Sequence, residues 1–211
     1  MRRLIFHGSD SFQATRLARS MFRAREREFV EKKNWELQTE ENVGERDHYD
    51  SLNPVYLIVI DTKGRHLASA RLMPVSGPTM LRDVFSECAP ASVFEEQQTW
   101  EVTRFFGSSG AGAKALKNLM LAGLEFGLQR GISSYVGITD PNMRGVFSAL
   151  GWPPETIGAG YASEGAVAAC RWRINEDIAK EISNSLRPRT RLAPMNPFSQ
   201  RTQSIEAMGL L

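Results

Sequence analysis

Apolar residues change their spacing several times along the chain, and each change marks an element. Leu4–His7 is a short apolar patch that reads as a strand. Across 12–33 the period is helical: Met21, Phe22, Arg25 and Phe29 share one face, and Glu28 and Lys32 make an i,i+4 pair on another. Residues 35–54 lose this periodicity and turn acidic, which reads as a loop. Two strands follow, near 55–61 and 66–73, separated by Thr62-Lys63-Gly64-Arg65, a turn whose glycine supplies the positive φ. A short helix around 80–86 leads into a Pro/Ala/Gln-rich loop, and the β-branched and aromatic run Trp100–Phe106 reads as a strand.

The small-residue stretch GSSGAGAK (107–114) opens a strong helix, 113–130, with Leu116, Leu119, Met120, Gly123 and Gly127 facing inward. SSYVGIT (133–139) reads as a buried strand. Pro141 suits the first turn of a helix that stops at Gly151-Trp152-Pro153. A strand at about 166–173 and a polar helix at 175–185 follow. Strands alternating with helices, two of them joined as a hairpin, predict a three-layer α/β/α domain on a mixed sheet, spanning 1–186. The basic, proline-containing segment 187–211 is expected to be a mobile tail.

At 211 residues, with 42% hydrophobic and 24% charged, the chain has the composition of a soluble domain with one well-filled core. A net charge of +2 gives no ground for a nucleic-acid partner. No apolar run approaches the roughly 20 residues of a membrane span, and the first residues lack the apolar core of a signal peptide. Cys88 and Cys170 stand far apart and match no metal or redox spacing. A cytoplasmic protein with reduced thiols, no metal and no membrane association is expected.

Against this ordinary background, residues 44–50 read GERDHYD and crowd Glu45, Asp47 and Asp50 together. Such a density of carboxylates needs cations. Arg25 shares the inward face of the first helix, where a buried guanidinium needs an anionic partner. Arg71 shares a strand face with Leu67, Ser69 and Met73 before Pro74 ends the pairing. Trp100-Glu101-Val102-Thr103-Arg104-Phe105 holds two ionisable residues in an otherwise apolar strand. Alternation puts Glu101 and Arg104 on opposite faces unless a bulge intervenes. Solvent exposure of each charge is the plain alternative. Taken together, three arginines can pair with these four carboxylates and offset most of their charge, so a salt-bridge network is favoured over a metal. GERDHYD lacks the ligand positions of a calcium loop, and no histidine pair supports zinc. GSSGAGAK at a helix start can cradle phosphate through backbone N–H groups, but it is not the nucleotide P-loop, and a flexible connector is the simpler reading. His7, His48 and His66 are scattered and no Gly-x-Ser-x-Gly occurs, which disfavours a hydrolytic triad.

The order Arg25, Phe29, Trp35, then Glu45-x-Asp47-x-x-Asp50, then Arg71-Leu72-x-Pro74, then Trp100-Glu101-x-Thr103-Arg104-Phe105 resembles the LuxI-type acyl-homoserine lactone synthases, the autoinducer synthase family. Gly77-Pro78-Thr79-Met80-Leu81 with Phe85, and Gly151-Trp152, extend the likeness over roughly 3–175. The resemblance implies a GNAT-acyltransferase-like fold with a splayed sheet and a cleft for a pantetheine-borne acyl thioester. It also implies acylation of the amine of S-adenosylmethionine, a consumed substrate rather than a cofactor, followed by lactone closure and release of 5′-methylthioadenosine.

On that reading Glu101 is the candidate base, with Arg104 and Asp47 beside it in the catalytic set. S-adenosylmethionine falls to Arg25, Phe29, Trp35, Asp47 and Arg104. Arg25, Glu45, Asp50 and Arg71 form the network that fixes the acidic loop, and backbone N–H groups around Phe105–Ser108 face the oxyanion. The acyl and pantetheine pocket draws on Phe105, Phe106, Ser108, Met80, Leu119, Met120, Thr139, Met143 and Phe147. Family members that use an acyl carrier protein tend to carry several bases on the late helix. Here PNMRGVFSALGW has only Arg144, so acyl-coenzyme A and acyl carrier protein both stay open as donors. Thr139 occupies a position that some members associate with 3-oxo chains. A GNAT-type N-acyltransferase for another amine, or a non-catalytic binding protein, are the competing readings.

Overall fold

The computed structural model describes residues 1–9, 15–162 and 165–187. In chain order its elements are β1 (Arg2–His7), α1 (Arg16–Arg25), a small ribbon of β2 (Thr39–Glu40) and β3 (Gly44–Glu45), then β4 (Val55–Ile60) and β5 (His66–Pro74). A single-turn α2 (Met80–Asp83), β6 (Thr99–Gly107), α3 (Gly112–Arg130), β7 (Ser134–Thr139) and α4 (Pro141–Leu150) come next. β8 (Glu155–Ala162), β9 (Gly165–Arg173) and α5 (Glu176–Leu186) complete the described chain. Seven strands form one sheet in the order β1-β4-β5-β6-β7-β9-β8. Neighbours are antiparallel except β6 and β7, which run parallel.

β4 is buried along its whole length, and its alternation separates two cores. Val55, Leu57 and Val59 join the cluster built with Leu119, Met120 and Leu124 of α3. Tyr56, Ile58 and Ile60 pack under Ala18, Met21 and Phe22 of α1. Helices on both faces of a mixed sheet give the three layers expected from the pattern.

β6 and β7 pair only from Thr99 to Glu101, against Ser134 to Val136, and both strands then run on unpaired with each other. The sheet therefore splays into a V. Gly137 sits at the fork, where a Cβ would press on the Val102 carbonyl oxygen.

Three expectations need correction. The first helix is α-helical only to Arg25 and continues as a π-helical turn over Glu26–Lys32; residues 12–14 of its expected start lie outside the described residues. The short helix is Met80–Asp83, followed by a 3-10 turn at Ser86–Cys88. β8 was absent from the pattern because Gly158 and Gly160 dilute its strand signal. The tail beyond residue 187 lies outside the described residues. Among the described residues no helix is long and apolar enough to cross a membrane.

Candidate active site

One row of side chains crosses the three central strands. Tyr56 of β4 stands opposite Arg71 of β5, which stands opposite Thr103 of β6. Arg71 Nε donates to Thr103 Oγ1 at 3.0 Å, and the Tyr56 hydroxyl donates to Asp50 Oδ1 at 2.6 Å. α1 lies over this row and points Arg25 into it. Gly44, at φ +117°, has no room for a Cβ against the Phe22–Arg23 backbone, so the acidic loop presses directly on α1. That contact brings Glu45 beside Arg25.

Arg25 donates through Nε to Glu45, and through Nη1 and Nη2 to Asp50 at 2.8 and 3.0 Å. Arg71 grips both oxygens of Asp47 and lies 3.0 Å from Asp50. Arg104 donates to Glu45 at 2.9 Å and to Asp47 at 3.1 Å. Three guanidinium groups thus meet three carboxylates. Burial alone pushes the Asp50 carboxyl up, but Arg25 and Arg71 outweigh it and hold the group well below the usual carboxylate range. Glu45 is balanced the same way and lowered by Arg25 and Arg104. The side chains of Glu45 and Asp50 are 0% exposed, whereas that of Asp47 is 20% exposed. Asp47 is the acid of the network that a ligand can reach.

Arg104 joins the network through a backbone irregularity. Between Arg71/Thr103 and Ser69/Phe106 the β5–β6 register shifts, with one more residue on β6. Arg104 carries the strain at φ +52°, which a non-glycine residue rarely adopts. The bulge returns Arg104 to the side of Glu101 and Thr103, and it moves Phe106 there as well.

Phe106 then meets Phe29 edge-on at 5.3 Å, and Phe29 stacks on Trp35 at 5.1 Å. Asn34, at φ +55°, turns the chain so that Trp35 N–H donates to the Phe29 carbonyl. Arg104 lies over the Phe29 ring at 5.6 Å. Charged network and aromatic pair therefore share a border.

Glu101 is the fourth carboxyl, and no arginine forks onto it. Its oxygens accept from the backbone N–H groups of Leu81 and Met80, which anchors α2. Burial pushes its pKa up to about 7, against the pull of those donors and of Arg71 and Arg104. Two accepted bonds use two of about four lone-pair sites. A carboxyl titrating near neutrality is suited to proton transfer at physiological pH.

On the other sheet face, a small apolar cavity of about 20 Å³ lies between the central strands and α3. Phe105, Leu119, Met120 and Phe147 of the expected acyl set line it, together with Tyr135, Trp152 and Trp172. The tyrosine hydroxyl donates to the Gly123 carbonyl at 2.8 Å, and Trp152 Nε1 to the Arg173 carbonyl at 2.9 Å, so this wall is held rigidly. A larger, open cavity of about 340 Å³ lies at the start of α3, lined by Gly107, Ser108, Ala111, Leu116, Val146 and Leu150 among others.

The remaining members of the expected acyl set lie elsewhere. Phe106 is on the opposite face because of the bulge, stacked on His66 at 5.4 Å. Met80 sits by the network, its Sδ 3.8 Å from Arg104 Nη1. Ser108 lines the open cavity, and its N–H donates to the Leu67 carbonyl at 2.8 Å, which removes it from the expected oxyanion donors. Thr139 is buried at the end of β7, with its hydroxyl on the Asp140 carbonyl at 3.2 Å. Met143 packs at the edge of the core, outside the cavity lining. Arg25 is buried at 1% exposure and paired with Glu45 and Asp50, which ties α1 to the acidic loop. Tyr56 and Gly44 were missed, and Thr103 entered only within the family motif, with no role given. Tyr56 reads as an ordinary strand former, and only the glycine ahead of the acids carried a local signal.

A mixed sheet that opens into a V after β6, covered by helices on both faces, is a GNAT-like fold. An acyl-CoA N-acyltransferase from Pseudomonas aeruginosa shares the fold at TM-score 0.51 and 13% identity, over 81% of this chain and 99% of that one. The autoinducer synthase family profile matches residues 10–182, and the chain belongs to that family. An acyl-homoserine-lactone synthase of Rhizobium etli is 31% identical over 173 residues, 79% of this chain and 81% of the relative. The CoA-dependent acyl-homoserine lactone synthase BjaI, solved with S-adenosylmethionine and isopentyl-CoA, superposes at TM-score 0.74 with 25% identity, covering 86% and 87% of the two chains.

Proposed function

We propose that this chain makes an N-acyl-homoserine lactone. The α-amine of S-adenosylmethionine attacks an acyl thioester, so a C–N bond forms and the thiol leaves. The methionyl carboxylate then displaces sulfur from its own γ-carbon, closing the lactone and releasing 5′-methylthioadenosine. The observation that carries this reading is the border between Asp47, the reachable acid of the network, and the stacked pair Phe29–Trp35. A sulfonium needs both an anionic field and aromatic faces.

Each group has a physical role in that reaction. Glu101, titrating near 7, takes the ammonium proton directly or through water, worth roughly 10²–10⁴-fold. Arg104 braces Glu45 and Asp47 through Nε and Nη2, and its Nη1, which faces Met80 Sδ, takes the substrate carboxylate. The N–H groups of Phe105 and Gly107 are the remaining candidates for the oxyanion, worth about 3 kcal/mol when well aimed. The larger cavity suits the pantetheine arm, and the apolar side chains around the small one, Phe105, Leu119, Met120 and Phe147, are the wall assigned to the acyl chain.

The likeness to a CoA-dependent relative and the single base of α4, Arg144, support acyl-coenzyme A as donor. Acyl carrier protein is the second donor to test. Purified protein incubated with S-adenosylmethionine and each thioester should release 5′-methylthioadenosine and an acyl-homoserine lactone, read by mass spectrometry. Failure with every donor overturns the reading.

A further inference from the structure

The stacked aromatic pair carries two cations, and they are held very differently. Arg104, over Phe29, is locked by Glu45 and Asp47. The Lys33 ammonium lies 5.5 Å from the Phe29 ring centre and 5.0 Å from that of Trp35. Among the described residues Lys33 makes no ion pair, unlike its neighbour Lys32, which pairs with Glu28 at 3.1 Å. It caps the π-helical turn, just before the left-handed Asn34 folds Trp35 back on Phe29. The turn thus builds a two-ring cation site and supplies its own cation, on a flexible four-carbon stem that can swing away.

We propose that Lys33 is an internal occupant of this cation site, displaced when a sulfonium binds. The inference rests on the assignment of Phe29 and Trp35 to S-adenosylmethionine. A positively charged sulfonium and the ammonium compete for the same ring faces and repel one another, so the lysine must leave for the substrate to seat. A neutral thioether makes no such demand and leaves the lysine in place. Lys33 therefore sets how strongly the site distinguishes the charged substrate from neutral adenosyl thioethers.

The test compares two ligands that differ by one methyl group and one charge. Binding of S-adenosylmethionine and S-adenosylhomocysteine to the wild-type, Lys33→Gln and Lys33→Arg proteins is measured by calorimetry, with a thermal melt of each variant. Lys33→Gln should tighten S-adenosylmethionine roughly fivefold, within the range of an exposed cation–π contact, and leave S-adenosylhomocysteine within twofold. Lys33→Arg, which keeps the cation, should keep the wild-type ratio. Weaker S-adenosylmethionine binding by Lys33→Gln overturns the proposal in favour of a lysine that clamps the substrate carboxylate. Equal shifts for both ligands, or no shift, overturn it in favour of a purely structural turn. Absence of S-adenosylmethionine binding by the wild type overturns the functional reading itself and this inference with it.

Discussion

Arg71 holds Asp47 by both terminal nitrogens, yet Asp47 alone of the three paired acids keeps contact with solvent. The arginine fixes where a negative charge is presented without neutralising its field on the open side. Asp47→Asn should weaken S-adenosylmethionine binding about tenfold, equivalent to about 1.4 kcal/mol. Calorimetry reads this directly, and unchanged affinity would assign Asp47 to the loop alone.

Arg25 works entirely inside the protein. Arg25→Met leaves Glu45 and Asp50 buried without their shared partner and should destabilise the fold by about 3–5 kcal/mol. Chemical denaturation measures the loss. A fall smaller than 1 kcal/mol would mean that Arg71 and Arg104 suffice to hold the loop.

The same pairs predict the response to acid. Asp50 and Glu45 titrate lower in the folded protein than in the unfolded chain, so the folded state binds fewer protons there. Their contribution is fully present above the unfolded carboxyl range near pH 4 and is lost as pH falls toward the folded values. The melting temperature should drop progressively below pH 4, and less steeply in Asp50→Asn, once that variant's lower starting stability is subtracted.

Glu101 shifts the opposite way, to about 7, because burial is not offset by a guanidinium pair. As a base it works deprotonated, so kcat/KM should rise with pH through an apparent pKa about 7. Glu101→Gln should remove that inflection and lower turnover by roughly 10²–10⁴-fold while binding changes little. A variant that keeps the wild-type pH profile would remove Glu101 as the base and leave it the anchor of α2.

Gly44→Ala combines a left-handed backbone with a collision against the Phe22 backbone. The acidic loop should lift from α1, with a loss of stability above the roughly 1 kcal/mol of a bare positive-φ substitution. Activity should fall with it, since Glu45 and Asp47 move together. Full activity at wild-type stability would show that the loop docks by other contacts.

How much of this was legible from residue order varies by feature. Met21, Phe22, Arg25 and Phe29 recur at helical spacing, and helical spacing depends only on neighbours within a few positions, so the buried face of α1 was readable. The surplus of acid in GERDHYD and the surplus of inward arginine were readable for the same reason, as was the turn at Gly64. The order of these motifs also carried the family resemblance.

Which acid meets which arginine depends instead on partners 20 to 59 positions apart. Arg104 illustrates the difference. Alternation along β6 assigns it to the α3 face, and only the extra residue opposite β5, taken up at φ +52°, turns it toward Glu45. The same slip carries Phe106 to the aromatic pair and leaves Phe105 to line the apolar cavity. Local spacing specifies which residues prefer burial; strand register, a property of two distant segments aligned side by side, specifies what each buried residue meets.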